Sequence, residues 1–112
     1  MPVELIFEKC RLTAALSGEI DHHSAAFLRG EIDQALAKFQ PATLALDFDG
    51  VTFMDSSAVG LVMGRYKALS AAGGGLEVLN LSPSAYRMMK LSGLQSLARL
   101  EPKPEEKERV YP

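Results

Sequence analysis

The chain has 112 residues, 47% hydrophobic and 23% charged, with a formal net charge of −2 and one cysteine, Cys10. This composition suits a single soluble globular domain. It offers no concentrated basic face for direct nucleic-acid binding and no internal disulfide, and Cys10 cannot form a metal site alone. No apolar run approaches the ~18 residues of a membrane span, and the start "MPVELIFEKC" alternates like a strand instead of forming a signal segment, so a cytoplasmic protein with no membrane association is expected.

"VELIFE" and "RLTAAL" are strand-like runs separated by Lys9 and Cys10, which predicts a hairpin, with "SGE" closing the second strand. From Asp21 the period becomes helical. Ala25, Leu28, Ile32, Ala35, Leu36 and Phe39 share one face, and Arg29, Asp33 and Lys38 lie on the other. Asp21 or Ser24 is suited to cap this helix, and Pro41 ends it. "TLALDF" reads as a buried strand, "DGV" as a break, and "TFM" as the lead into Asp55, Ser56 and Ser57.

A second helix is expected from about Ser57 to Ala72, with Ala58, Leu61, Val62, Ala68, Leu69 and Ala72 facing inward and "GGG" at 73–75 stopping it. "LEVLNL" is a further strand. Pro83 suits the first turn of a third helix and Gly93 lies beyond its end, while "SLARL" reads as a short last strand. The order β-β-α-β-α-β-α-β predicts an α/β domain over residues 1–101: a mixed sheet with parallel pairs, begun by an antiparallel hairpin and flanked by helices. Residues 102–112, proline-rich and densely charged, are expected to be disordered.

The Asp-Ser-Ser stretch carries the functional question. A serine nucleophile needs a base and an orienting acid, and the elbow pattern G-x-S-x-G fails because Met54 stands where a glycine is required. The two histidines, His22 and His23, are adjacent, so they point in different directions and lack metal-ligand spacing. They read as a polar helix entrance. Asp47, Asp49 and Asp55 resemble a phosphoacceptor-aspartate site at first sight, but the first strand ends "FEKC" without the required acidic pair. "AAGGGLEV" is not followed by the G-K-[ST] of a phosphate cradle. Two readings remain: the serines simply cap a helix, or one is a regulated phosphate acceptor. A helix N-terminus can receive phosphate through its unpaired amides and dipole.

Three segments, "LSGEIDHHSA" at 16–25, "FMDSSAVGLVMGRYK" at 53–67 and "SPSAYRMMKLSGL" at 82–94, resemble the anti-sigma factor antagonists of the STAS superfamily, most closely the sporulation type. They span most of the chain in the family's order. The resemblance implies a binding module and not an enzyme, with no cofactor and no metal. Its unphosphorylated form would bind an anti-sigma factor that is also a Ser kinase, freeing a sigma factor. Phosphorylation would end binding, and a Ser/Thr phosphatase would restore it. The family's acceptor falls on Ser56, with Ser57 in the neighbouring hydroxyl position, Asp55 as the motif aspartate and Asp21 as the loop aspartate close to the phosphorylated loop. Ala58 departs from the glycine common at that position, and the tail lacks the apolar spacing of the usual last helix. A STAS module of a stress-signalling or transporter-associated assembly is the alternative.

Gly60 and Gly64 lie four apart on the face expected to carry Ser57, each at a cost of about 1 kcal/mol relative to alanine. Either a partner approaches closely there or a neighbouring helix packs tightly. Arg65 and Lys67 are candidates to meet acidic groups on a partner, though either alone reads as part of a solvated face, and Met88 and Met89 are expected in the core or on an adaptable surface.

Overall fold

The computed structural model describes residues 2–104. Strands β1 (Val3–Glu8) and β2 (Arg11–Ile20) pair antiparallel, with Val3 opposite Leu16 and Glu8 opposite Arg11. Lys9 and Cys10 turn the chain between them at φ of 51° and 62°, both in the left-handed region that a two-residue I′ hairpin turn uses. The chain continues through α1 (His22–Phe39), β3 (Thr43–Met54), α2 (Ser56–Ala71), β4 (Gly75–Leu81) and α3 (Pro83–Leu91). A 3-10 turn (Leu94–Ser96) leads to β5 (Arg99–Pro102).

The sheet order is β1-β2-β3-β4-β5, parallel from β2 onward. Each crossover moves to the next strand in the same direction, so right-handed connections place all three helices on one face. Side-chain alternation agrees. Leu12, Leu16, Leu44, Leu46, Phe48, Leu76 and Val78 are buried from the sheet side, against Leu28 and Ile32 of α1, Ala58, Val62 and Leu69 of α2, and Ala85 and Met89 of α3. On the opposite face Glu77 accepts a 2.6 Å hydrogen bond from Arg11 and lies 3.9 Å from Arg99, which also pairs with Glu101. Among the described residues no helix is long and apolar enough to cross a membrane.

Two strands run further than their sequences suggest, and this positions the site. "SGE" does not close β2, which absorbs Ser17 and Gly18 as irregularities in its register with β3 and continues to Ile20. "DGV" does not interrupt β3, which runs for 12 residues. A Cβ at Gly50 would lie 2.9 Å from the Leu16 carbonyl oxygen and 3.0 Å from Ser17 Cβ, so only glycine lets β3 pass the irregular part of β2. Both strands then end level, with Ile20 opposite Met54.

Other expectations are corrected. Helix α2 begins at Ser56 rather than Ser57, and Ala68 and Ala72 are exposed rather than inward, while Arg65 is buried. The last strand starts at Arg99 because residues 94–96 form the 3-10 turn. Strand β5 includes Pro102. The Lys103 amide donates to the Leu81 carbonyl at 2.8 Å and its Nζ to the Asp49 carbonyl at 2.9 Å. These two residues, expected in the tail, therefore join the sheet edge. Residues 105–112, on which the rest of the expected disorder falls, lie outside the described residues.

Candidate functional site

Because β2 and β3 are parallel neighbours ending at the same level, the residues that follow them start two helices side by side. Both are aspartates. Asp21 (φ −115°, ψ −171°) and Asp55 (φ −112°, ψ −167°) adopt nearly the same extended N-cap conformation. Asp21 Oδ1 accepts the Ser24 amide at 2.9 Å, and Ser24 Oγ accepts the Asp21 amide at 2.8 Å, so both candidate caps of α1 act together in a capping box. The Ser24 amide chiefly holds the Asp21 carboxyl below its ordinary value; desolvation opposes it, and the Ser24 hydroxyl, the His23 amide and the nearby His23 add to the lowering. Asp55 Oδ1 accepts the Ser57 amide at 2.8 Å, and the Asp55 amide donates to the Ile20 carbonyl at 3.2 Å, tying the second cap to the end of β2.

The cap of α2 is therefore Asp55 and neither serine. Ser56, expected just ahead of the helical amides, is instead the first helical residue; it is exposed and its hydroxyl takes no part in capping. Ser57 is half-buried behind it. A phosphate on Ser56 would sit at a helix start, where the first-turn amides and the dipole favour negative charge.

Beside this pair of helix starts, α1 and α2 leave an open groove of about 330 Å³. His22, Ala25, Ala26 and Arg29 line it from α1, and Ser57, Gly60 and Leu61 from α2. A Cβ built on Gly60 or Gly64 meets no heavy atom within 4 Å, so packing inside the domain does not require either glycine. Only Gly60 faces this groove; Gly64 lies one turn further along and is half-buried. A second groove, of about 300 Å³, lies on the other side of the β3 end, where Phe53 and Met54 meet Ala85 and Met88. Met88 thus lines a surface groove, while Met89 is in the core.

The three aspartates that resemble a phosphoacceptor cluster do not converge. Asp47 Oδ1 accepts from the Asp49 amide and from Asn80 Nδ2, both at 2.9 Å, and Asp49 pairs with Lys103 at 3.4 Å, leaving Asp55 as a helix cap. His22 and His23 are exposed, with rings edge to face at 5.9 Å, but His22 does lie across the groove from Ser57. Sequence order hides that proximity; the parallel pairing of β2 with β3 is what would have disclosed it. Arg65 departs most from expectation. It is buried, with Nε 2.9 Å from Asp33 Oδ1 and one guanidinium nitrogen donating at 3.4 Å to the Leu61 carbonyl. Lys67 is exposed, as expected.

Among the described residues, a five-stranded mixed sheet with three helices on one face, two of them aspartate-capped and starting side by side, is the architecture of a STAS domain. The STAS domain family matches residues 7–107, and the chain belongs to it. It is 34% identical over 94 residues to the anti-sigma F factor antagonist of Paenibacillus polymyxa, covering 84% of this chain and 80% of that protein. Among solved structures it is similar to the anti-sigma factor antagonist SpoIIAA in its unphosphorylated form (TM-score 0.76, 33% identity, 88% of this chain and 86% of that one). The phosphorylated form of the Bacillus cell fate determinant SpoIIAA superposes with a TM-score of 0.71 at 33% identity, over 88% of this chain and 89% of that one.

Proposed function

We propose that this protein is an anti-sigma factor antagonist whose binding is switched off by phosphorylation of Ser56. The unphosphorylated form binds an anti-sigma factor with Ser kinase activity and so releases a sigma factor. ATP-dependent transfer of phosphate to Ser56 ends the interaction, and a Ser/Thr phosphatase restores it. The protein acts in the cytoplasm as a binding module and performs no catalysis itself. Asp21, Asp55, Ser57 and Gly60 form the contact surface around the switch, with Gly64 extending it along α2.

The observation that carries this reading is the exposed Ser56 hydroxyl at the first position of a helix already capped by Asp55. Ser56 is free of a structural task, stands at an end that tolerates a dianion, and lies beside a groove with open space at Gly60. The similarity to SpoIIAA, solved in phosphorylated and unphosphorylated forms, supports the switch. Incubation with the cognate kinase and ATP, followed by intact mass and fragment spectra, tests it. One phosphate on Ser56 is expected; phosphate on Ser57 with Ser56 clean refutes the assignment.

A further inference from the structure

The α1–α2 contact has an unusual construction. At its start is the groove beside Ser57 and Gly60; at its far end another opening, of about 530 Å³, lies between Leu36 and Ala37 of α1 and Ala68 and Leu69 of α2. Between the two openings sits the Arg65–Asp33 pair, the only ion pair joining these helices among the described residues. The Arg65 side chain is 8% exposed and that of Asp33 47%. The Arg65 Nε lies close to the carboxylate but off its own N–H direction, so it has an ion-pair partner and no hydrogen bond. Burial pulls the guanidinium pKa down, opposed by Asp33 and reinforced by Arg29.

As a stabilising device this is poor. Arg65 loses its hydration on burial while its half-exposed partner is screened by solvent and Nε makes no hydrogen bond, so the pair gains little over a well-packed apolar residue at position 65. What the pair does supply is a fixed geometry. Ala25 and Ala26 of α1 and Gly60 of α2 face each other across the first groove with side chains too small to interdigitate, while the lining Leu61 is buried. The sheet fixes the two helix starts at Ile20 and Met54. Further along, Leu28 and Ile32 of α1 and Leu61 and Val62 of α2 are buried in the shared core, and the directional contact that ties the two helices together is Arg65 on Asp33, with the guanidinium also held to the carbonyl of groove-lining Leu61.

We infer that Arg65 is a positioning residue: with Asp33 it holds α1 and α2 at the separation that keeps the groove beside Ser57 and Gly60 open to the partner. The partner readout of this inference rests on the antagonist reading; its structural readout does not. Removing the guanidinium lets the helices settle closer together or shift, changing the groove without unfolding the domain.

The test compares Arg65→Met, Arg65→Lys and Asp33→Asn. In the free protein, Arg65→Met is expected to keep or raise the melting temperature while shifting the backbone amide resonances of Ser57 and Gly60. Unmoved amides overturn the inference whatever the partner does. In titrations with the anti-sigma kinase, Arg65→Met is expected to bind at least tenfold more weakly, Arg65→Lys to retain most of the affinity, and Asp33→Asn to lose affinity without further loss in the double variant. A merely structural role would make affinity and melting temperature fall together, with lysine no better than methionine. If Arg65→Met fails to fold, the half-exposed Asp33→Asn variant decides by the same amide and affinity readouts. If the wild-type protein fails to bind, the antagonist reading is refuted, and the amide shifts still decide the role of Arg65.

Discussion

Replacing Gly60 with alanine separates the two explanations of an interior helix glycine. A glycine there costs about 0.5–1 kcal/mol relative to alanine through backbone entropy. A Cβ at this position meets no heavy atom within 4 Å, so no clash offsets that gain. Gly60→Ala should therefore stabilise the free domain by about 0.5–1 kcal/mol, a rise of roughly 2–5 °C in melting temperature for a domain of this size. The same methyl projects into the groove lined by His22, Arg29 and Ser57. If a partner packs there, overfilling the contact costs about 1–3 kcal/mol, or roughly fivefold to a hundredfold in affinity. Gly30→Ala is the control. Its Cβ is equally unopposed and it does not line the groove, so it should stabilise the protein and leave binding unchanged. Thermal denaturation and titration with the anti-sigma kinase read the two effects. A Gly60→Ala protein that is more stable and binds like wild type would refute the groove as a contact surface, and a destabilised one would show that the domain itself needs the glycine.

Asp21→Asn should melt close to wild type, because asparagine caps as well as aspartate, yet should lose kinase turnover or partner affinity; a fully active variant would reduce Asp21 to a cap. Ser56→Ala should bind constitutively and accept no phosphate, whereas Ser56→Asp should stay folded and bind poorly, as titration and mass spectra of kinase-treated samples will show. Glu77 should contribute to acid sensitivity. The Arg11 hydrogen bond chiefly holds its carboxyl below the ordinary value of 4.5, so its stabilisation is present above that value and is lost as pH falls through the lower folded-state value. Denaturant titrations across the acid range should show a shallower fall in stability for Glu77→Gln than for wild type, and identical slopes would contradict the cross-strand pairing.

The order of elements is legible in the sequence because alternation and helical spacing each report one buried face. Leu12, Ala14 and Leu16 alternate into the core, and Leu28, Ile32 and Ala35 recur along one side of α1. Strand lengths are not legible. Gly18, at φ 81°, and Gly50 look like turn residues, yet one lies at an irregular point in a strand and the other lets the neighbouring strand pass. Single-strand patterns carry no record of a close approach between two backbones. The candidate site is legible as a motif but not as an assembly: that Asp21 and Asp55 cap adjacent helices, and that His22 faces Ser57 across a groove, follow from parallel pairing of β2 with β3. Arg65 is misread because a charged residue at helical spacing ordinarily marks the solvated face, and its partner Asp33 lies 32 positions earlier, on another helix.

The central claim is that one phosphate on Ser56 abolishes binding by local electrostatics and bulk, without refolding the domain. The phosphate adds about −1.5 to −2 charges at the start of α2, where the helix end offsets only about 0.3–1 kcal/mol. In the free protein the group stays hydrated at an exposed position; in a complex it must lose water beside Asp55, Ser57 and Gly60. An unpaired interfacial charge costs several kcal/mol, enough for a hundredfold or greater loss of affinity. The most direct measurement is a paired titration of the anti-sigma kinase with unphosphorylated and Ser56-phosphorylated protein, alongside amide spectra of both forms. The account predicts at least a hundredfold weaker binding by the phosphorylated form, with spectral changes confined to residues near 53–62 and their neighbours. Comparable affinity of the two forms, or shifts spread across the whole sheet, would contradict it.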